Sequence, residues 1–417
     1  MQDFNKQNSV LSEEDLDNNT QFIYDFAEKL ATKGSGLAGG SGENAVSREI
    51  RDAVLSKTGE FSHLEAFGVN RLMGKGSFLV FGIIYAIALL IYFISFAGNS
   101  TAQILITLLA LVIFVLGLIL LWAMLLNKFR FKDRFKVAYN VVSEKKSEKI
   151  SDETNMKTVI IAANHSGNYG GFSLAYGKLH KIALVYMPIS YLLFIIYCIV
   201  KMAVGTNNTG NIVALTVLPV ITSILGIIAT VTRYSIFDKR AIKNNGIASA
   251  LALSTYAYFV ETPELIPNNT RIVFASLGGE SDNQSGSKAF ILAHPEYKGA
   301  NVVLLDNIVA REIQVNKCGS RRGSAYSLKM EEDVTKSASM QGIDLSKEVK
   351  DKFEEKINKF YGSTIDSFFA TEMPSVCIAA SAKEDAVISI TKEDINKLLS
   401  LCVGTVRNCL HDIKNPQ

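Results

Sequence analysis

The sequence predicts an α/β domain with a mainly parallel central sheet between helices, joined to four transmembrane helices arranged as two hairpins. Three observations lead there. Four long runs carry no charged side chain. In the rest of the chain, β-branched runs alternate with helical patterns, as in sheets covered on both faces. Glycine-rich, turn-like segments follow two of those runs, HSGNYGG after TVIIAA and GGES after RIVFASL.

Ser77–Ala97 and Gln103–Leu126 are uncharged and each exceeds the ~20 residues that cross a bilayer core. Ile182–Val200 and Asn211–Thr232 repeat the pattern, with Lys201 at the connection between them. The links Gly98–Ala102 and Lys201–Gly210 are short, so each pair is antiparallel and returns the chain to its starting side. Basic residues choose that side. Arg71 and Lys75 precede the first run, and Lys128, Arg130, Lys132, Arg134 and Lys136 follow the second. Lys178 and Lys181 precede the third, and Arg233, Lys239, Arg240 and Lys243 follow the fourth, whereas the tips carry only Lys201. The positive-inside rule therefore places the polar sequence and both termini in the cytosol. Met1 to Thr20 is polar and acidic rather than signal-like, which suits a bacterial plasma membrane. Residues 1–76, 127–181 and 233–417 are thus expected to be three parts of one domain, interrupted by hairpins at 77–126 and 182–232.

Composition narrows the class. At 417 residues the chain can bury a full core without disulfides or a structural metal. Its 48% apolar and 20% charged residues suit a mixture of membrane and polar parts. A net charge of +3, with basic residues spread among acidic ones, argues against nucleic acid as a partner. The five cysteines form no CxxC or Cys/His cluster and read as free thiols. There is no GxSxG elbow, glycine-rich phosphate loop or HExxH helix.

Within the polar sequence, strands are expected at Thr158–Ala163, Arg271–Leu277, Asn301–Leu305 and Ser375–Ala380. Helices are expected at Ala248–Phe259, Lys347–Phe360 and Lys392–His411. His165, Glu280 and Asp306 then fall at the carboxyl ends of strands, where chemistry collects in such sheets. A histidine and carboxylates so placed suit metal-assisted hydrolysis, in which the metal acidifies a water and a free carboxylate takes its proton.

The order of local motifs resembles metallopeptidase family twenty-eight, the di-zinc aminopeptidases and carboxypeptidases, whose parallel-centred sheet lies between helices. LAGGSGENAVSREIRDAVLS is similar to the family's opening glycine turn and first helix, followed by YNVV and the strand TVIIAANHSG. KNNGIASALALS resembles its Asp-Asn-x-Ser-Gly helix start, and RIVFASLGGESDNQSGSKAF its strand, glutamate pair and following helix. NVVLLDNIV and EMPSVCIAAS resemble its two later strands.

The resemblance implies roles residue by residue. His165 and Asp306 fall on ligands of one metal, and Glu280 on the general base. Asn244 replaces the bridging aspartate, and a neutral amide oxygen supplies none of the negative charge that two dications share. Ser281 replaces the second glutamate, a ligand of the other metal, and the last histidine would fall near Ser381. Gly167 stands where an aspartate would orient His165, a loss that typically costs ~10–100-fold in affinity or activity. No cofactor is expected, or at most one zinc held by His165, Asn244 and Asp306. The leading expectation is a membrane-anchored, catalytically inactive peptidase-like scaffold for a peptide or membrane-protein partner, with the lipid bilayer as its other partner. The alternative is an active mononuclear zinc-dependent aminopeptidase or amidohydrolase at the cytosolic face. Four spans with no internal charge, and no break beyond Pro188 and Pro219, give little support to a transporter.

Overall fold

A computed structural model describes residues 11–33, 38–69, 77–97, 100–125, 136–153, 155–166, 177–205, 209–231, 239–280, 284–308, 312–316, 325–345, 364–369, 371–381 and 390–414. The chain forms two compact units, one of residues 1–69, 135–168 and 238–417, the other of residues 70–134 and 169–237.

The first unit holds helices α1 (Glu13–Ala31) and α2 (Ser41–Thr58) and strand β1 (His63–Val69). After the first apolar hairpin come β2 (Lys136–Lys146) and β3 (Lys157–Asn164). The second apolar hairpin contributes α5 and α6, described below, so the unit resumes at α7 (Lys239–Glu261) and continues with β4 (Thr270–Leu277), α8 (Ser285–Ala293) and β5 (Asn301–Ile308). It ends with β6 (Glu312–Asn316), α9 (Ala325–Met340), α10 (Thr364–Phe369), β7 (Ser375–Ser381) and α11 (Lys392–Lys414).

The strands form one seven-stranded sheet in the order β1-β2-β4-β3-β5-β7-β6. Its centre, β4-β3-β5-β7, is parallel, whereas β1, β2 and β6 pair antiparallel at the edges. Parallel strands lie covered on both faces, so they read as continuous apolar runs rather than alternating ones. All eight positions of β4 are buried, as are all of β3 after its first residue. On one face Ile161, Phe274 and Val303 pack with Leu30, Tyr256, Val334 and Leu398 of α1, α7, α9 and α11. On the other, Ile160, Val273 and Leu304 pack with Phe290 of α8 and Phe368 of α10. Each such side chain contributes about 1.5–3 kcal/mol of burial.

The four expected central strands are all present. Antiparallel edge strands are added to that expected, mainly parallel sheet. β1 has mixed burial and its short run carries a glutamate and a glycine, so neither alternation nor continuity marks it. α7 also starts nine residues before the expected Ala248. The expected helix at Lys347–Phe360 lies outside the described residues.

The second unit contains α3 (Ser77–Ile94), α4 (Ser100–Leu125), α5 (Gly177–Val204) and α6 (Thr209–Val231). All four are long and apolar enough to cross a membrane, over Val80–Ala97, Ser100–Ala123, Tyr186–Val204 and Thr209–Gly226. They pack as one bundle, so the two hairpins are joined to each other. The Phe114 and Phe194 rings stack at 4.9 Å across α4 and α5. The Tyr191 hydroxyl donates to the Phe81 carbonyl at 2.7 Å, and the Tyr92 hydroxyl to the Leu215 carbonyl at 2.9 Å. Aromatic side chains fill the interior, while Leu90, Leu105, Ile119, Trp122, Ile196 and Ile221 are exposed. Such an apolar exterior is more than a surface facing water usually carries.

Lys201 lies inside the last turn of α5 rather than in the connection, and it is buried. Its ammonium donates to the Ser95 hydroxyl and, at 3.4 Å, to the Tyr92 carbonyl. It also lies 3.1 Å from the Phe96 ring centroid. Ser95 in turn accepts a hydrogen bond from Thr107, so one ammonium ties three helices together. Replacing a buried charge by an apolar side chain of similar volume is often neutral, whereas a cavity is costly. Lys201→Met is therefore expected to change detergent-state thermal stability little, and Lys201→Ala to cost about 2 kcal/mol. Equal losses in both would show that the ammonium itself is required.

Candidate functional site

The carboxyl ends of β3 and β4 lead into two of the expected site residues, His165 and Glu280. β3 runs out at Asn164, whose side-chain oxygen accepts from the backbone N–H and hydroxyl of Ser166, both at 2.9 Å. That short local turn holds His165 between them. The His165 backbone N–H continues the ladder to the Leu277 carbonyl at 3.0 Å, so the residue is fixed against the end of β4.

The His165 ring is buried among serines. Nε2 lies 2.9 Å from the Ser47 hydroxyl of α2, and Nδ1 lies 2.9 Å from the Ser276 hydroxyl of β4. Ser276 extends the chain to the Ser249 hydroxyl of α7 at 3.3 Å. Ser47 also donates to the Glu43 carbonyl at 3.1 Å. A neutral imidazole has one N–H and one lone pair. In either tautomer, the single lone pair here faces a serine hydroxyl. Burial pushes the imidazole pKa down to about 3, so the ring stays neutral at ordinary pH.

Glu280 lies in the turn between β4 and α8, and its carboxylate caps that helix. Oε1 accepts from the Ser287 backbone N–H, and Oε2 accepts from the Ser287 hydroxyl at 3.2 Å. A carboxylate at a helix N-terminus satisfies orphan donors and complements the dipole. The Glu280 backbone N–H donates to the Ser166 hydroxyl at 2.8 Å, which couples the two strand ends.

Three further residues hold this turn. Buried Glu43 accepts from the backbone N–H of Gly39 at 2.6 Å and from that of Gly279 at 2.8 Å. Asn140 of β2 accepts from the Gly278 N–H at 3.1 Å and donates to the Gly286 carbonyl at 3.0 Å. Asn245 donates to the Ser166 carbonyl. Glu43 and Asn140 stand in the GSGEN and YNVV segments singled out above, yet nothing in either segment announces a contact with Gly278 or Gly279. Glu43→Gln removes the charge that serves two backbone donors and is expected to cost about 2 kcal/mol of stability in denaturant unfolding. An unchanged midpoint would refute that role.

Asp306 is the sixth residue of β5 and is half-buried. Leu305 before it belongs to the α7 side of the sheet, while Leu304 and Cys377 belong to the α8 side. Burial first, and then the Asp306 charge, push the Cys377 thiol well up. His165 bonds to serines of α2 and β4 on the α7 side. The two expected ligands of one metal, His165 and Asp306, follow the paired residues Ala163 and Leu305 at the ends of neighbouring strands. The side chains of Asn244 and Ser381 lie outside the described residues, as do Ser281 and Gly167. Among the described residues, no three His, Cys, Asp or Glu side chains come within reach of one metal ion. As arranged, His165 does not fit a metal ligand, because a ligand needs a lone pair free of other bonds. The cluster positions backbone and locks a turn.

Residues 231–390, less than half of the chain, match the model for Peptidase family M28. No curated protein matches the sequence. Among solved structures, the zinc aminopeptidase BSAP from Bacillus subtilis is similar at 12% identity and a TM-score of 0.48, covering 93% of this chain and 94% of that one. A glutaminyl cyclase from Fimbriiglobus ruber is similar at 9% identity and a TM-score of 0.47, covering 93% and 95%. A Zn-dependent exopeptidase from Parabacteroides distasonis gives 8% identity and a TM-score of 0.45, covering 94% and 98%.

Proposed function

We propose, from the match of residues 231–390 to the Peptidase family M28 model, that the protein is a membrane-anchored, catalytically inactive relative of these peptidases. Its polar unit faces the cytosol and serves as a binding scaffold for a peptide or a membrane-protein partner. The observation that carries this reading is His165, whose two ring nitrogens are both engaged by serine hydroxyls inside the fold. Glu280 supports it, because its carboxylate is spent on the α8 N-terminus rather than held ready for a water.

The test is the zinc content of purified, detergent-solubilised protein after equilibration with zinc, beside a His165→Ala control. Zinc no higher than in the control is expected. About one zinc per chain that vanishes in the control would overturn the reading and restore a mononuclear aminopeptidase or amidohydrolase. The orientation rests on the basic residues that flank the spans and are nearly missing from their tips. A reporter fused after Gln417 is expected to be active only in a form that works in the cytosol. Activity only in an exported form would reverse the topology.

A further inference from the structure

Far from His165 in sequence, a second histidine has the opposite environment. His294 caps the C-terminus of α8, its backbone N–H bonded to the Phe290 carbonyl. Its Nε2 lies 2.5 Å from Glu65 Oε1 of β1, and its Nδ1 lies 2.8 Å from Glu296 Oε1. Both ring nitrogens meet carboxylates, which accept but do not donate, so both bonds form fully only in the imidazolium. The ring stacks on Tyr297 at 4.6 Å with planes 8° apart and touches Phe290 at 4.9 Å. The helix C-terminus adds its own preference for positive charge.

The other groups around the ring shape its electrostatics. Arg271 of β4 lies over Tyr297 at 4.5 Å and donates to the Glu296 carbonyl at 2.9 Å. Glu144 of β2 accepts from the Tyr297 hydroxyl at 3.4 Å and lies 3.9 Å from Arg271. Arg271 is therefore already shared by Glu144 and Tyr297, and Lys146 lies 3.7 Å from Glu144 on its other oxygen. Glu65 depends on His294: its Oε2 is buried and has no hydrogen-bond partner among the described residues.

Glu65 also stands at a particular place in the sheet. It pairs with Asn140 in the β1–β2 ladder. Asn140 holds Gly278 and Gly286 at the start of α8, while Glu65 holds His294 at its end. Phe67 and Val69 of the same edge strand pack over Gly279 in the Glu280 turn. One cross-strand pair thus grips α8 by both ends.

We propose that Glu65, His294 and Glu296 form a pH-sensitive latch that holds edge strand β1 and α8 closed over the Glu280 turn when His294 is charged, and releases β1 when it is neutral. Burial alone would lower the His294 pKa, but the bonds and charges of Glu65 and Glu296 outweigh it and raise it. Loss of the proton leaves the ring with one donor for two carboxylates, and leaves Glu65 half-buried without its counter-charge. β1 has a neighbour on one side only, so it is the strand that gives way. The latch rests on the proposed scaffold reading only for the use of the turn as a binding region. Its opening is read without any partner, and separately from zinc content.

The experiment is amide hydrogen exchange on the full-length protein in nanodiscs, compared at about pH 6 and about pH 9 after correction for intrinsic rates. Protection of β1 and of the first turn of α8 is expected to fall roughly tenfold or more at the higher pH, the equilibrium factor for one charge-assisted hydrogen bond. Glu65→Gln keeps the shape and removes the charge, and it is expected to show the open level at both pH values. His294→Gln should do the same, and β4 exchange should be unaffected throughout. A wild-type strand whose protection ignores pH would overturn the latch. So would a pH response that survives in Glu65→Gln.

Discussion

Replacing Gly286 by alanine is expected to destabilise the polar unit by about 3 kcal/mol, a large share of the roughly 5–15 kcal/mol that holds a domain folded. A β-carbon there would lie 1.9 Å from the Gly278 carbonyl oxygen, 2.9 Å from Asn140 Oδ1 and 3.0 Å from Glu280 Oε1. The nearest obstacle is backbone, so no side-chain rotation relieves the clash. Either α8 withdraws from β4, breaking the Asn140 and Glu280 bonds, or the turn between them opens. Gly299 is the control: it has φ +77°, but a β-carbon added there would meet nothing within 4 Å. Gly299→Ala should cost only about 1 kcal/mol, the strain of a left-handed residue. Thermal unfolding of the full chain in detergent, followed by circular dichroism, separates them. Equal losses would mean that close packing of the Glu280 turn is not what Gly286 provides.

Acid is expected to act almost as strongly through one residue. Folded His165 takes its proton near pH 3, whereas an exposed imidazole takes it at the ordinary value of 6.5. Between these values the unfolded chain binds the extra proton, so stability falls as pH is lowered, by about 1.4 kcal/mol per unit. By pH 4 this one group removes about 3 kcal/mol. His294 works in the other direction. Its pKa is raised by its two glutamates, so its contribution is complete below the ordinary value and is lost as pH rises through the folded one. Stability of the polar unit should therefore fall on both sides of a maximum. Denaturant titrations across pH locate it. In His165→Gln the acid limb should flatten, while the alkaline limb remains. An acid limb unchanged by that substitution would show that other groups set it.

How much of this was legible in the sequence differs from element to element. The four apolar helices were plain because a bilayer demands length and forbids charge, two properties that a linear reading measures directly. β3, β4, β5 and β7 were plain because strands buried on both faces are continuous runs of β-branched and apolar residues. β1 and β6 were not, since an edge strand is half-exposed and its residues answer to solvent as much as to the core. Lys201 read as a residue of a connection because charge usually marks a helix end. Its burial depends on Ser95 and Phe96, which belong to another helix. The candidate site shows the same limit. The positions of His165, Glu280 and Asp306 at strand ends could be read from local pattern. The serines around His165 could not, because Ser47 and Ser276 reach it from α2 and β4, far away in the chain. Serine has no spacing signature of its own, and only topology brings those hydroxyls together.

The interruption of the polar unit by the second apolar hairpin has a consequence for how the protein is made. β3 is a central strand whose two neighbours, β4 and β5, are both encoded after that hairpin. When the ribosome has reached residue 232, β3 has been made before either neighbour, and five of its eight side chains are apolar. Such pairings are slow because the loop must close before any contact rewards it, and an unpaired apolar strand invites association with other chains. Chains truncated before Thr270 should therefore aggregate, even though both hairpins are complete.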